Sequence, residues 1–521
     1  MKITERKDKR GMLFLLLILI VASVVYYSTA ALPQPSNDDI EYMSMAYFTS
    51  YGGPLLYNTF PFSVSYGIVL PLTLFYRIFG FSMFTGIYYE IALTLVAVAL
   101  VYKVANQYSK YAGVLSALIF AFIPAIIGVS NAIVPDVFVL VMALASVAAL
   151  QAALHRKGSR EYYMLAGLLA FLSTFGNILG YIFLLLLFIY IIFNYLKTKS
   201  AKLFGYAMLG IAMGFLISML IGWYTSNGLY LPSGEVKYPY LISTYYLFRF
   251  YAPTYNNPPS PFSIAPLSLI YGMFFLPTKY LFRKFTIQFV WPYAYGSLAY
   301  MVIFSLIYSI RNKTVRKYEW LLLWAAGVFI IQLFAIKQGF FEYSRFELLL
   351  IAPLAIFCGV VLSDYLVSLE CKSPARKEHR KSMKLTLYTA LTILLFLNLY
   401  FGALYSVKNI YTTNILYNGI DNISSELSTL PENPYIYIAY HMPPTTSGRL
   451  DIMFYSSMYG VNISRFRPFS GNCSTVMPGS YLILPITNTT PYPLQTCSSV
   501  LIYKTQLSEN MTYGYALFRT Q

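Results

Sequence analysis

Residues 2–31 read KITERKDKRGMLFLLLILIVASVVYYSTAA, a basic segment followed by an uncharged run over 12–31. About 20 apolar residues in a helix cross the hydrocarbon core of a bilayer. Basic residues stay preferentially on the cytoplasmic side, so the N-terminus is predicted to lie inside. No small-residue cleavage site follows closely behind a short apolar core, which favours a retained span over a signal peptide.

The composition extends this interpretation to most of the chain. Of the 521 residues 58% are hydrophobic and 11% are charged, and the mean hydropathy is +0.58. Such values are typical of polytopic membrane proteins, and we expect an all-α membrane architecture. The apolar runs predict eleven spans: 12–31, 84–105, 112–130, 136–154, 161–177, 179–196, 203–222, 287–310, 319–336, 346–367 and 385–405.

The distribution of charge supports this topology. With the N-terminus inside, every segment predicted to be cytoplasmic is net positive, and together these segments account for the whole excess of +17. The basicity therefore reflects topology, and it gives no indication of nucleic-acid binding. The segments are 1–10, 103–111, 155–161, 197–202, 311–319 and 368–384.

Two further apolar stretches, 61–80 and 266–285, are interrupted by prolines and cations. We expect them to form amphipathic helices on the outer interface, because inserting only one would place several basic loops outside. The predicted membrane domain is 1–405, with a first outer loop over 32–83 and a second over 223–286.

The segment 406–521 is polar and has short alternating runs, at 435–440 and 481–484, that predict strands of a small extracytoplasmic α/β domain. A disulfide between Cys473 and Cys497 would suit an oxidising exterior, although two free thiols fit nearly as well. Five Asn-x-Ser/Thr sequons also fit an outer location, unless they arise by chance in an Asn- and Thr-rich segment. They are Asn422, Asn462, Asn472, Asn488 and Asn510.

The candidate chemistry lies on the predicted outer face. Asp38 and Asp39 follow the first span, and Asp136 lies at the mouth of the fourth. A carboxylate there can act as a general base toward a hydroxyl group, and the guanidinium of Arg345 can hold a phosphate. The simpler alternatives are that the acids only cap helices and that Arg345 is an interfacial anchor. Other polar residues of the late outer loop are Lys337, Glu342, Tyr343 and Glu347.

Four motifs resemble the GT-C glycosyltransferases, and within them the protein O-mannosyltransferase and aminoarabinose-transferase group. The resemblance covers most of the chain, although each motif is short. The matching segments are Asp38-Asp39-x-x-Tyr42-x-x-x-Ala46, Leu74-Phe75-Tyr76-Arg77-Ile78-Phe79-Gly80, Val134-Pro135-Asp136, and the segment from Tyr343 to Leu354.

The resemblance implies transfer of a sugar, with inversion, from a polyprenyl (dolichyl) phosphate to a hydroxyl acceptor. Asp38 would be the base and Asp39 its support. Asp136 would orient the acceptor or, together with Asp38, bind a divalent metal ion, and Arg345 would hold the leaving phosphate. Tyr42, Glu342, Tyr343 and Lys337 would complete the substrate site.

One departure concerns the phosphate. The lysine that usually precedes the Pro-Pro of the first loop is missing, so a second phosphate ligand must come from Lys337, Arg249 or Lys279. The Trp-Trp-Asp-Tyr-Gly signature of oligosaccharyltransferases is also missing, which argues against en bloc transfer to asparagine.

The alternative function is a flippase or transporter for a lipid-linked glycan. A transporter usually carries ionisable residues near the middle of its spans, but apart from Glu90 and Asp364, each near a span end, the predicted spans are almost free of them. A structural protein that docks a cell-surface layer would leave Asp38, Asp39 and Arg345 unexplained. The acceptor, whether lipid-linked glycan, protein or lipid, is left open, and the composition favours an archaeal plasma membrane.

Overall fold

The computed structural model of the chain describes the helices and strands and the short turns between several of them. The described residues are 9–30, 38–50, 65–109, 111–155, 160–198, 201–225, 297–337, 348–370, 385–386, 388–400, 402, 422–431, 434–439, 456, 459, 461, 465–469, 476–487, 499–504 and 513–520.

Among the described residues, those up to 402 are mostly helical, and strands follow from Ile436 onward. The helices are α1 (Lys9–Ser28), α2 (Asp38–Ser50), α3 (Tyr66–Phe79), α4 (Met83–Ala105), α5 (Ala112–Ala121), α6 (Pro124–Val129), α7 (Pro135–His155), α8 (Arg160–Leu172), α9 (Ile178–Thr198), α10 (Ala201–Thr225), α11 (Leu298–Arg311), α12 (Glu319–Lys337), α13 (Leu348–Glu370), α14 (Tyr388–Tyr400) and α15 (422–428). Two 3₁₀ turns, Ser173–Phe175 and Val315–Tyr318, follow α8 and precede α12.

Every predicted span overlaps a helix, and the chain is a multi-pass membrane protein. Among the described residues, six helices are long and apolar enough to cross a membrane: Arg10–Ser28, Phe84–Ala105, Pro135–Leu154, Leu179–Leu196, Phe204–Ile221 and Leu348–Leu369. The predicted span 112–130 is interrupted, because Pro124 cannot donate a backbone hydrogen bond and starts a new helix, α6. Within the stretch 61–80, a helix forms over Tyr66–Phe79 (α3), whereas 266–285 lies outside the described residues.

The described residues form two compact units. One contains α1, residues 65–71 and most of the chain from Ile87 to residue 402. The other contains α2, residues 72–86, α15 and the strands.

Glycines allow helices of the first unit to approach backbone to backbone. A Cβ added at Gly210 of α10 would lie 1.9 Å from the carbonyl oxygen of Met164 in α8. A Cβ added at Gly167 of α8 would lie 2.1 Å from the carbonyl oxygen of Ala207 in α10. Because lipid tails are as apolar as the helices, the hydrophobic effect does not drive helices together in a membrane. Small residues allow the close van der Waals packing that does.

Side chains repair the break between α5 and α6. The buried hydroxyl of Tyr26 in α1 donates to the carbonyl oxygen of Ala121, the last residue of α5, at 2.7 Å. Just beyond α6, the side-chain nitrogen of Asn131 donates to the carbonyl oxygen of Thr29 at 2.9 Å and to that of Ile127 at 3.2 Å. The end of the first span is therefore fastened to the interrupted helix.

In the second unit, side chains from the later part of α3 donate hydrogen bonds to backbone carbonyls of α2. Thr73 Oγ1 donates to the carbonyl oxygen of Ala46 at 3.3 Å. Arg77 donates from Nε to the carbonyl oxygen of Ser50 and from Nη2 to that of Thr49, both at 3.2 Å. A cation at the C-terminal end of a helix satisfies carbonyls that have no partner within the helix, and it also suits the helix dipole.

The strands form one mixed sheet in the order β2-β1-β3-β5-β4, where β1 is Ile436–Ala439, β2 Phe466–Phe469, β3 Tyr481–Thr487, β4 Ser499–Lys504 and β5 Tyr513–Thr520. β1 runs parallel to β2 and β3, and β5 runs antiparallel to β3 and β4. Of the two runs that predicted strands, residues 436–439 of 435–440 form β1, and 481–484 form the start of β3. Ile423 and Leu427 of α15 are buried, as are Ile436, Ile438 and Ile483 of the sheet.

The close approach of α8 and α10 predicts a stability effect. We expect Gly210→Ala to lower the melting temperature in detergent by several degrees, because the new methyl group meets backbone that cannot rotate away. Overpacking of this kind costs about 1–3 kcal/mol. Gly205→Ala on the same helix is the matched control: a Cβ there meets no heavy atom within 4 Å, and alanine is the better helix former. Equal melting temperatures for the two variants would contradict this account.

The contacts of Arg77 predict an effect on α2. Arg77→Met should speed hydrogen–deuterium exchange in the last turn of α2 by roughly fivefold, because two terminal carbonyls lose their donor. Mass spectrometry of peptides covering residues 42–50 measures this. Lys103→Met, which neutralises an exposed cation on α4, is the control and should leave these peptides unchanged. Unchanged exchange in Arg77→Met would mean that Arg77 does not hold α2.

Candidate active site

The predicted catalytic acids begin a helix. α2 starts at Asp38, so both Asp38 and Asp39 lie in its first turn, where negative charge suits the positive end of the helix dipole. The side chain of Asp39 is only 7% exposed, which is unusual for an acid that merely caps a surface helix. Of Asp38, the structure describes the backbone only.

The turn of α2 that follows these acids is buried on all sides. Five consecutive residues, Tyr42 to Ala46, are buried, and they go once round the helix. Aromatic contacts add to this packing, since the ring of Phe81 lies 4.6 Å from that of Tyr47 and 4.9 Å from that of Tyr76. Together with Arg77 and Thr73, these contacts fix the helix that carries the acidic pair.

Asp136 occupies the first turn of α7 and is 1% exposed. The side-chain nitrogen of Asn177 donates to Asp136 Oδ1 at 2.7 Å, a length typical of a hydrogen bond to a charged group. Pro135 precedes it at the start of α7, where the proline ring preorganises the helix and its missing N–H is not needed. The hydrogen bond from Asn177 thus holds this carboxylate in a buried position, although burial of an acid costs free energy.

Sequence reasoning did not identify Asn177. A signal was present: Asn177 lies at the junction of two apolar runs, 161–177 and 179–196. On the predicted topology, that junction is on the same face of the membrane as Asp136. A polar amide at the junction of two predicted spans could therefore have identified Asn177 as a candidate.

Several predicted site residues lie outside the described part of the chain. The structure describes the backbone of Lys337 at the end of α12 but not its side chain. Asn422 is exposed at the start of α15. The residues outside the described ranges are Glu342, Tyr343, Arg345, Arg249, Lys279, Asn462, Asn472, Asn488, Asn510, Cys473 and Cys497.

The two acids that the sequence places within spans differ in their surroundings. Glu90 is fully buried in α4. Asp364 of α13 is paired, since Lys317 Nζ lies 2.6 Å from its Oδ2 and the Tyr318 hydroxyl donates to the same oxygen at 2.5 Å. Burial raises the pKa of Tyr318, and the hydrogen bond to Asp364 raises it further. Asp364 therefore has a structural role between α13 and the turn before α12.

A divalent ion needs several oxygen ligands, and the described residues contain no group of three His, Cys, Asp or Glu side chains that could hold one. Asp136 alone supplies a single carboxylate, one oxygen of which already accepts from Asn177. The described residues thus do not form a metal-ligand set by themselves.

Residues 67–223 match the family model described as dolichyl-phosphate-mannose-protein mannosyltransferase. No curated protein matches the chain in sequence.

Solved structures match over almost the whole length. ArnT from Cupriavidus metallidurans, bound to undecaprenyl phosphate, is 13% identical, with a TM-score of 0.57 over 96% of this chain and 97% of that one. The apo state of the same protein gives 0.55 at 13% identity, over 98% of each chain. The oligosaccharyltransferase of Archaeoglobus fulgidus, in complex with Zn and sulfate, also gives 0.55, at 14% identity, over 87% of this chain and 62% of that one. The chain therefore shares its fold with ArnT and with the archaeal oligosaccharyltransferase, and its residues 67–223 match the dolichyl-phosphate-mannose-protein mannosyltransferase family model.

Proposed function

We propose that the chain is an inverting glycosyltransferase of the membrane, which moves a sugar from a polyprenyl-phosphate donor to a hydroxyl acceptor at the outer face. The observation that carries the proposal is the acidic pair in the first turn of a firmly held helix, α2, within this fold. The match of residues 67–223 to a dolichyl-phosphate-mannose family and the likeness to a protein bound to undecaprenyl phosphate support the choice of donor.

In this mechanism the carboxylate of Asp38 takes the proton of the acceptor hydroxyl. The acceptor oxygen forms a bond to the anomeric carbon from the face opposite the phosphate. The bond from that carbon to the phosphate oxygen breaks, and polyprenyl phosphate leaves with the electron pair. The configuration of the sugar is thereby inverted, and no nucleotide is consumed.

The other residues have supporting roles. Asp39, which follows Asp38 in the sequence and is buried, keeps the first turn of α2 in place. Arg345 stabilises the charge that develops on the leaving phosphate, and Asp136 orients the acceptor or contributes to binding of a divalent ion. Tyr42, Lys337, Glu342 and Tyr343 contact the substrates.

The proposed orientation places the N-terminus in the cytoplasm and residues 406–521 outside. All segments assigned to the cytoplasm are net positive, in agreement with the positive-inside rule. A lipid-linked donor suits the outer face, since nucleotide sugars are made in the cytoplasm and lipid phosphates can be carried across the bilayer.

The proposal is tested by sugar transfer in proteoliposomes that contain a panel of polyprenyl-phosphate sugars. We expect turnover by the wild type and a loss of about a hundredfold in Asp38→Asn, because the amide cannot accept the proton. Glu319→Gln, an exposed acid at the start of α12, is the matched control and should keep its activity. Repeating the assay with EDTA and with added Mg²⁺, Mn²⁺ or Zn²⁺ tests the divalent ion.

The outcomes separate the alternatives. Turnover that survives in Asp38→Asn would keep the enzyme but move the base to Asp39 or Asp136. Absence of turnover with every donor, together with transbilayer movement of a lipid-linked substrate in the same vesicles, would replace the proposal with a flippase.

A further inference from the structure

The turn between α8 and α9 is pressed against the first turn of α7. A Cβ added at Gly176 would lie 2.4 Å from Val139 Cγ2 and 2.9 Å from the carbonyl oxygen of Pro135, so only glycine allows this approach. A Cβ at Gly180 would lie 2.2 Å from the carbonyl oxygen of Ser173. The turn that carries Asn177 therefore has little room to move relative to α7.

The side chain of Asn177 is also fixed in its own orientation. Its Oδ1 accepts the backbone N–H of Leu179 at 2.9 Å, in the first turn of α9. With the oxygen engaged there, the NH₂ group must point the other way, toward Asp136 Oδ1 at 2.7 Å. The amide therefore connects the start of α9 to the start of α7 through one defined set of hydrogen bonds.

A structural role alone does not account for the choice of partner. Helix starts need only an acceptor for their N–H groups, which Asn177 Oδ1 supplies to α9 by itself. A buried carboxylate opposite its NH₂ group adds a desolvation cost that an apolar residue would avoid. Acids buried within membrane-spanning helices are rare, and they commonly mark functional sites.

We propose that Asn177 is the positioning residue of Asp136: it fixes the direction in which this carboxylate meets the acceptor. The inference rests on the proposed function and takes the first of the two roles given there to Asp136, that of orienting the acceptor. Asn177 itself acts only through Asp136.

The test is a double-mutant cycle in the proteoliposome assay, with acceptor kcat/KM as the readout. Asn177→Leu keeps the approximate volume but makes neither hydrogen bond. We expect it to lower acceptor kcat/KM about tenfold when Asp136 is present, since a misdirected group loses much of its effect. In an Asp136→Asn background the same change should cost less than twofold, because no carboxylate remains to be directed. The donor KM should stay unchanged in both.

A swap separates positioning from folding. In Asp136→Asn combined with Asn177→Asp, an acid and an amide still face each other, so the melting temperature should recover relative to the single Asn177→Asp variant. Activity should not recover, because the carboxylate now lies in the turn before α9 instead of at the start of α7. Asn131→Leu is the matched control: it removes hydrogen bonds of similar length, and its effect should be the same in both Asp136 backgrounds.

Equal costs of Asn177→Leu in the two backgrounds would overturn the inference, and so would recovery of activity in the swap. Absence of turnover by the wild-type protein would instead overturn the proposed function, and the role of Asn177 with it. The wild-type measurement therefore distinguishes the two failures.

Discussion

Backbone groups in a membrane have no water to bind, so every place where a helix stops inside the protein must be repaired by other protein groups. In this chain the repairs are made by a few polar side chains. Tyr26 donates to the carbonyl oxygen at the end of α5, and Asn131 donates to the carbonyl oxygens of Thr29 and Ile127. Asn177 Oδ1 accepts from the N–H of Leu179 at the start of α9.

The same interruptions provide the polar environment that a reaction requires. The start of α7 offers a carboxylate the positive end of a helix dipole, and the turn before α9 offers it an amide partner. Asp136 lies where two helix starts come together. Repair of the backbone and placement of a candidate functional group are thus achieved by one small set of side chains.

Much of this architecture follows from the sequence. Apolar runs and basic loops predict eleven spans, and each of them overlaps a described helix, because hydrophobic length and charge act over whole segments. The alternating runs predict β1 and β3, but their parallel pairing depends on crossovers that no local pattern encodes. The interruption at Pro124 was readable in principle, yet its repair by Tyr26 joins residues 95 positions apart. The partnership of Asp136 and Asn177 was missed for the same reason, since it depends on how α7, α8 and α9 pack.

The edge strands of the small sheet, β2 and β4, bear on whether copies of the chain pair with one another in a membrane. β2 carries Pro468, which lacks the N–H that a further strand would need, and β4 shifts register against β5 between Leu501 and Tyr503. A membrane confines copies of a protein to two dimensions, where exposed strand edges meet often. Val500, Leu501 and Ile502 are exposed on β4 and would favour such pairing, but the irregular strand is a poor template. We therefore expect the described edges to be poor templates for pairing between copies of the chain.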